Sequence, residues 1–207
     1  MAEHSLTKFK SKLTGGGARP NLFKVEFTNA NGGQGGGLPS GITKLDTDKF
    51  EYLCKAANLP ASNVASIDVP FRGRTFKVAG DRTFDTWTIT VINDTDFKIR
   101  RTMEEWAQFV AQYQEGSGAT TPDTYMASAT VRQLGRQKSN IGDGEGNSKG
   151  TGLETIAVYR FADIFPTNIS AIDLSYDTTD TIEEFTVEFT VNYWYPESKS
   201  GPSGNNA

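Results

Sequence analysis

The sequence predicts a mainly β fold, an antiparallel β sandwich or barrel with one flanking amphipathic α-helix at about residues 94–115. Three observations carry this expectation. From Thr86 to Val91 a hydroxyl residue alternates with a large apolar one, so that Trp87, Ile89 and Val91 share one face of an extended chain. From Glu184 to Tyr193 the alternation is stricter: Phe185, Val187, Phe189, Val191 and Tyr193 point one way, and Glu184, Thr186, Glu188, Thr190 and Asn192 the other. Between them the period changes, because Ile99, Trp106, Phe109, Val110 and Tyr113 form a single helical stripe.

Residues 1–17 carry only Leu6, Phe9 and Leu13 as apolar anchors and end in glycines, which reads as a flexible N-terminal arm that orders only against something else. Phe23 to Phe27 alternates as a strand. Residues 29–41 form a glycine-rich loop, and Phe50, Tyr52 and Cys54 then line one face of a predicted returning strand. Residues 56–70 hold Leu59-Pro60 and Val69-Pro70, whose prolines cannot donate to a sheet ladder. The stretch therefore reads as an ordered excursion from the sheet, either a contact loop or a plain crossover.

Gly80-Asp81-Arg82 reads as a turn, which makes Arg74 to Val78 the partner of the Thr86–Val91 strand. Asn93, Asp94 and Thr95 supply helix caps, and Gly116 to Gly118 end the helix. Further strands are expected at Tyr125–Leu134, Leu153–Phe161, Ile169–Ser175 and Glu184–Tyr195, with a second glycine-rich insertion at 135–152. Residues 18–196 are expected to form a single β domain, followed by a flexible tail at 197–207.

Composition narrows the function. With 36% hydrophobic residues and a mean hydropathy of -0.47, some of the limited apolar surface can be reserved for neighbours. No apolar run is long enough to cross a bilayer, and Met1 to Leu13 lacks an apolar signal core, so the protein is expected in a cytosol-like compartment without a membrane partner. The single cysteine, Cys54, cannot form an internal disulfide and reads as a small buried hydrophobe. The only histidine, His4, lies in the arm, so cysteine catalysis lacks its base.

The net charge of -4 is unevenly placed. Between Arg160 and Lys199 there is no basic residue, whereas Asp163, Asp173, Asp177, Asp180, Glu183, Glu184 and Glu188 all fall there. Lys8, Lys10, Lys12 and Arg19 form one basic group and Arg72, Arg74, Lys77 and Arg82 another. Such segregation suits docking between copies with complementary potentials, and it equally suits solvated faces.

Two loop motifs fail on inspection. Asp143, Glu145, Asn147 and Glu154 imitate the oxygen spacing of a calcium loop, but Ser148 stands where the sharp turn needs glycine. Lys149 is preceded by Ser148 instead of glycine, which also excludes a phosphate-binding loop. No metal or cofactor is expected. The carboxylates lie on strands and loops without a catalytic partner, and the acidic balance opposes nucleic-acid binding, so an enzyme is not expected.

The run VAGDRTFDTWTITVINDTDF followed by a Trp-bearing helix resembles the tail tube protein of contractile-tailed bacteriophages. Ala18-Arg19-Pro20-Asn21-Leu22-Phe23, Cys54-Lys55-Ala56, Leu59-Pro60, Phe165-Pro166-Thr167-Asn168-Ile169 and Tyr193-Trp194 extend the resemblance in the family's order. The glycine-rich arm at 29–41 departs from the family's tighter connection.

The resemblance implies a structural virion protein of the tail, assembled in the host bacterial cytoplasm. It implies hexameric rings stacked into a hollow tube, a sheath protein outside, and a tape measure protein and double-stranded DNA in the lumen. Baseplate and tail terminator proteins are expected at the ends. Arg72, Arg74, Asp81, Arg82, Leu59 and Pro60 become inter-subunit candidates, and the wet face of the last strand makes Glu184, Glu188 and Asn192 lumen candidates. The arm at 1–17 and the 56–70 excursion are expected to act in ring stacking. A baseplate tube initiator, a secretion-system tube protein and a monomeric β-barrel binding module are the alternatives.

Overall fold

The computed structural model describes residues 6–13, 17–28, 38–39, 42, 45–113, 115–138 and 153–197. His4, Lys199, most of the glycine-rich arm, all but the final Glu154 of the calcium-like loop, and most of the C-terminal tail therefore lie outside the described residues.

The mainly β class with a flanking helix is what the structure has, with strands making up 49%. In chain order the elements are α1 (Leu6–Lys12), β1 (Phe23–Thr28), α2 (Thr47–Leu53), β2 (Cys54–Ala57), β3 (Ser62–Phe71), β4 (Arg74–Phe84) and β5 (Trp87–Ile92). There follow α3 (Lys98–Val110), α4 (Pro122–Tyr125), β6 (Ala127–Lys138), β7 (Leu153–Ile169) and β8 (Glu184–Glu197). Among the described residues six strands form one sheet in the order β1-β6-β7-β8-β5-β2, and β3 and β4 pair only with each other.

The chain divides into two compact units, residues 26–129 with 161–195, and residues 1–25, 130–160 and 196–207. The first holds most of the core. Trp87, Ile89 and Val91 of β5 and Phe185, Val187 and Phe189 of β8 are almost wholly buried, as their alternation predicts. Register explains why they meet: Trp87 lies opposite Phe189 and Ile89 opposite Val187, so side chains of like character share a face. Helix α3 buries Ile99, Met103 and Trp106. Phe27 joins the strands to the helix, its ring 6.0 Å from that of Trp106 and 5.7 Å from that of Phe189. Trp87 stacks on Phe161 at 4.8 Å.

In the other unit, the Gln133 amide donates to the carbonyls of Arg19 and Leu22, each at 2.7 Å, and ties the segment before β1 to β6. Arg160 pairs with Glu197 at 2.9 Å.

Several expected elements differ. The stretch holding Phe50 and Tyr52 is helix α2, not strand: the Asp46 side chain caps it by accepting from the Lys49 amide, Phe50 is buried and Tyr52 is exposed. Only Cys54–Ala57 continues as strand. The reversal near β4 is not at Gly80-Asp81-Arg82 but at Arg72-Gly73, where φ is +46° and +80°. Positive φ at both central residues suits a two-residue hairpin. Phe71 accordingly faces Arg74, and β4 runs on through Gly80 and Asp81 as the partner of β3, not of β5.

Gly80 marks a bulge instead, since the register shifts between Val64 and Ser66. A Cβ at Gly80 would sit 3.1 Å from the Ile67 side chain. The excursion is thus a strand of a separate hairpin, and Pro70 is tolerated because each strand of a two-stranded sheet is an edge.

The predicted caps at Asn93–Thr95 also shift, because α3 begins after Phe97, which is left-handed at φ +54°. Asp94 serves the region differently, through an ion pair with Lys49. Burial alone would raise the Asp94 pKa; the Lys49 ammonium, with the amides of Lys98 and Phe97, outweighs burial and lowers it from the ordinary 3.8. Its contribution is therefore complete above pH 3.8 and fades as pH falls through the lower folded value. The helix ends at Val110, before the glycines, with Tyr113 exposed beyond it.

The predicted Ile169–Ser175 strand is irregular chain from Ser170 onward. Strand β7 instead continues from Leu153 through the buried Pro166 to Ile169, with Asp163 left-handed at φ +53°. Buried Phe161, Ile164 and Pro166 are spaced three and then two apart, the mark of a local bulge that hid one strand inside two.

Candidate functional site

Four of the inter-subunit candidates fall on the β3–β4 hairpin. Arg72 sits at its tip with the guanidinium 5.4 Å above the Phe71 ring, Arg74 lies opposite Phe71, Arg82 lies opposite Val64, and Asp81 occupies the bulge. None of these four makes an ion pair with another described residue. The hairpin's own cross-strand pair is Lys77–Asp68 at 3.0 Å. Leu59 is half exposed on the approach to β3, whereas Pro60 is buried and offers no surface.

Sequence reasoning missed the hairpin's main feature. Ile67 faces Val78 and Val69 faces Phe76, so one face carries Ile67, Val69, Phe71, Phe76 and Val78, and all five are exposed. The opposite face carries Asp68, Lys77, Ser66 and Thr75. The signal was present as the period-two pattern of Ile67-Asp68-Val69 and Phe76-Lys77-Val78. An apolar sheet face left uncovered on a folded chain marks an interaction surface.

The lumen candidates share the wet face of β8, on which Glu184, Thr186, Glu188, Thr190 and Asn192 alternate with buried residues. Strand β5 extends this face, with Thr88 opposite Glu188 and Thr90 opposite Thr186. Glu184 is not free, because its carboxylate accepts from the Lys55 ammonium at 2.5 Å. Both partners are partly exposed, so the pair contributes on the order of 0.2–1 kcal/mol. Glu188 has no ion-pair partner among the described residues and is the face's uncompensated charge. Asn192 is exposed, and its amide lies 3.9 Å from the Met126 sulfur.

Neither chemistry nor metal binding gathers elsewhere among the described residues. No group of three His, Cys, Asp or Glu side chains could hold an ion, and no helix is long and apolar enough to cross a membrane. Burial pushes the Cys54 thiol up to about 12, which keeps it protonated and inert at neutral pH. A thiol-reactive chromophore is expected to leave native Cys54 unmodified at pH 8 and to label it stoichiometrically in denaturant; fast labelling of the native chain contradicts this burial.

Comparison with known proteins bears on these surfaces. Residues 18–197 match the family described as "Phage tail tube protein". The tail tube protein gp19 of Enterobacteria phage T4 is 34% identical over 177 residues, covering 86% of this chain and 90% of the relative. Two solved structures share the fold at low identity. A chain of the anti-feeding prophage baseplate, solved with six-fold symmetry, has a TM-score of 0.57 and 9% identity, with coverage of 87% of this chain and 95% of that one. A chain of the sheath-tube complex of an extracellular contractile injection system has a TM-score of 0.52 and 12% identity, with coverage of 95% and 99%.

Proposed function

The chain belongs to the phage tail tube protein family, and we propose that its copies close into hexameric rings that stack as the inner tube of a contractile tail. Its relatives are structural tail proteins, and its role is that of a tube component, not an enzyme. The observation that carries this reading is the family match across residues 18–197. The sheet supports it: β1 and β2 stand at the two ends of the strand order, and open edges in a folded chain need covering. The β3–β4 hairpin supports stacking, since its uncovered apolar face suits a neighbouring copy.

On this reading the sheath lies outside, and the baseplate and terminator proteins lie at the ends. The tape measure protein and, during ejection, double-stranded DNA occupy the lumen. The tail is put together in the host cytoplasm. Purified protein should form rings or tubes in negative stain and sediment well above the monomer. A chain that stays monomeric at high concentration, as a binding module does, removes the proposal.

The lumen assignment has its own test. If Glu188 faces the channel, it repels phosphates and denies DNA the counterion-releasing contacts that would hold it. Glu188→Lys tails should then form normally and release DNA more slowly. The defect should recede at high salt, since the Debye length shrinks from about 10 Å at 0.1 M to about 3 Å at 1 M. Normal tails that release DNA at the wild-type rate at low salt exclude Glu188 from the lumen.

A further inference from the structure

We propose that helix α1 of one copy docks on the irregular segment 171–183 of a second copy. The inference rests on the tube reading and adds to it a specific contact between copies. Helix α1 carries Leu6 and Phe9, and the chain turns once more to bring Leu13 into line, with the Leu13 amide donating to the Phe9 carbonyl at 3.0 Å. Positions 6, 9 and 13 fall on one side of a helix, with Lys10 flanking that stripe on one edge and Lys12 on the other. Within one copy the stripe is uncovered, with Phe9 62% exposed.

Segment 171–183 has the complementary character. Leu174, Tyr176 and Ile182 are exposed, Leu174 by 81%, and Asp173, Asp177 and Asp180 lie among them. None of these three carboxylates pairs with another described residue. The segment is held, not loose. Its ends are fastened where the Ser170 amide donates to the Thr186 carbonyl at 2.8 Å and the Asn93 amide to the Glu183 carbonyl at 2.9 Å. Its middle turns on Ser175, whose hydroxyl accepts from the Asp177 amide at 3.2 Å and whose carbonyl accepts from the Thr178 hydroxyl at 2.9 Å.

Charge selects this occupant over the other uncovered apolar face. The hairpin carries Arg72, Arg74, Lys77 and Arg82, which repel Lys10 and Lys12, whereas segment 171–183 holds no basic residue. A seven-residue helix covers little area, so one such contact is weak. It gains effect by being repeated at every copy of a polymer that other contacts already hold together.

The test is a charge exchange between copies. A chain with Lys10→Glu and Lys12→Glu, and another with Asp173→Lys, Asp177→Lys and Asp180→Lys, should each need a roughly tenfold higher critical concentration to assemble at low salt. An equimolar mixture should recover wild-type assembly, because each reversed helix then meets a reversed segment on its neighbour. Light scattering and negative stain read the outcome, and circular dichroism checks that each variant is folded. If wild-type chain forms no rings or tubes, the tube reading itself fails. If wild type assembles and both reversed chains assemble equally well, the α1 contact is wrong while the tube reading stands. If a chain carrying both reversals assembles but the mixture does not, the contact lies within one copy and the proposal is overturned.

Discussion

Trp87→Ala is expected to cost about 3–5 kcal/mol of folding stability, the usual toll of truncating a buried aromatic and leaving a cavity. Trp87 is fully buried, stacks on Phe161 at 4.8 Å and lies 5.2 Å from Phe189, so the surrounding rings cannot close the gap without leaving their own contacts. Domains of this kind are stable by only about 5–15 kcal/mol, so a large fraction of the total is at stake. Denaturant unfolding followed by fluorescence measures it.

Phenylalanine substitutions separate packing from polarity. The Trp87 indole N–H has no acceptor among the described residues, whereas that of Trp106 donates to the Tyr125 carbonyl at 2.7 Å. Trp106→Phe should therefore cost about 1 kcal/mol more than Trp87→Phe, because it leaves the Tyr125 carbonyl without its donor. Equal costs would show that the Trp106 hydrogen bond contributes nothing net.

The double substitution Ile67→Asp, Phe76→Asp should abolish tube growth while leaving the folded chain intact. Both side chains stand on the hairpin's uncovered face, Phe76 being 66% exposed, so the fold loses little when they become polar. An interface that buries them loses a buried aromatic and must desolvate two carboxylates. Anchors of that kind cost 2 kcal/mol or more each, so the concentration needed for assembly should rise roughly a thousandfold for the pair. Unchanged circular dichroism with loss of tubes is the expected result. Tubes at the wild-type concentration would remove the hairpin face from the contact.

What this sequence determined by itself was local periodicity and the motifs that carry family resemblance. The alternation in β5 and β8 and the stripe on α3 were legible because period two and period 3.6 are written within a dozen residues. The apolar residues from Trp87 to Val91 and from Phe185 to Val191, with Ile99 and Trp106, are in the core as read, whereas Tyr193 and Tyr113, at the far ends of those patterns, are exposed and Phe109 and Val110 are half-buried. The wet face holding Glu184, Glu188 and Asn192 followed from the same count.

Partner choice was not legible. Gly80-Asp81 and Arg72-Gly73 both look like turns, and the choice between them fell to Arg72-Gly73 because β3 could then pair along β4 up to the tip. Phe50, Tyr52 and Cys54 alternate like a strand, yet the Asp46 cap starts a helix that buries Phe50 and exposes Tyr52, and strand begins only at the buried Cys54. The hairpin's apolar residues read locally like core, and only the tertiary structure left them bare, because β3 and β4 pair with no strand of the main sheet. Burial is a property of what packs against a residue from far along the chain, and no local pattern contains that distance.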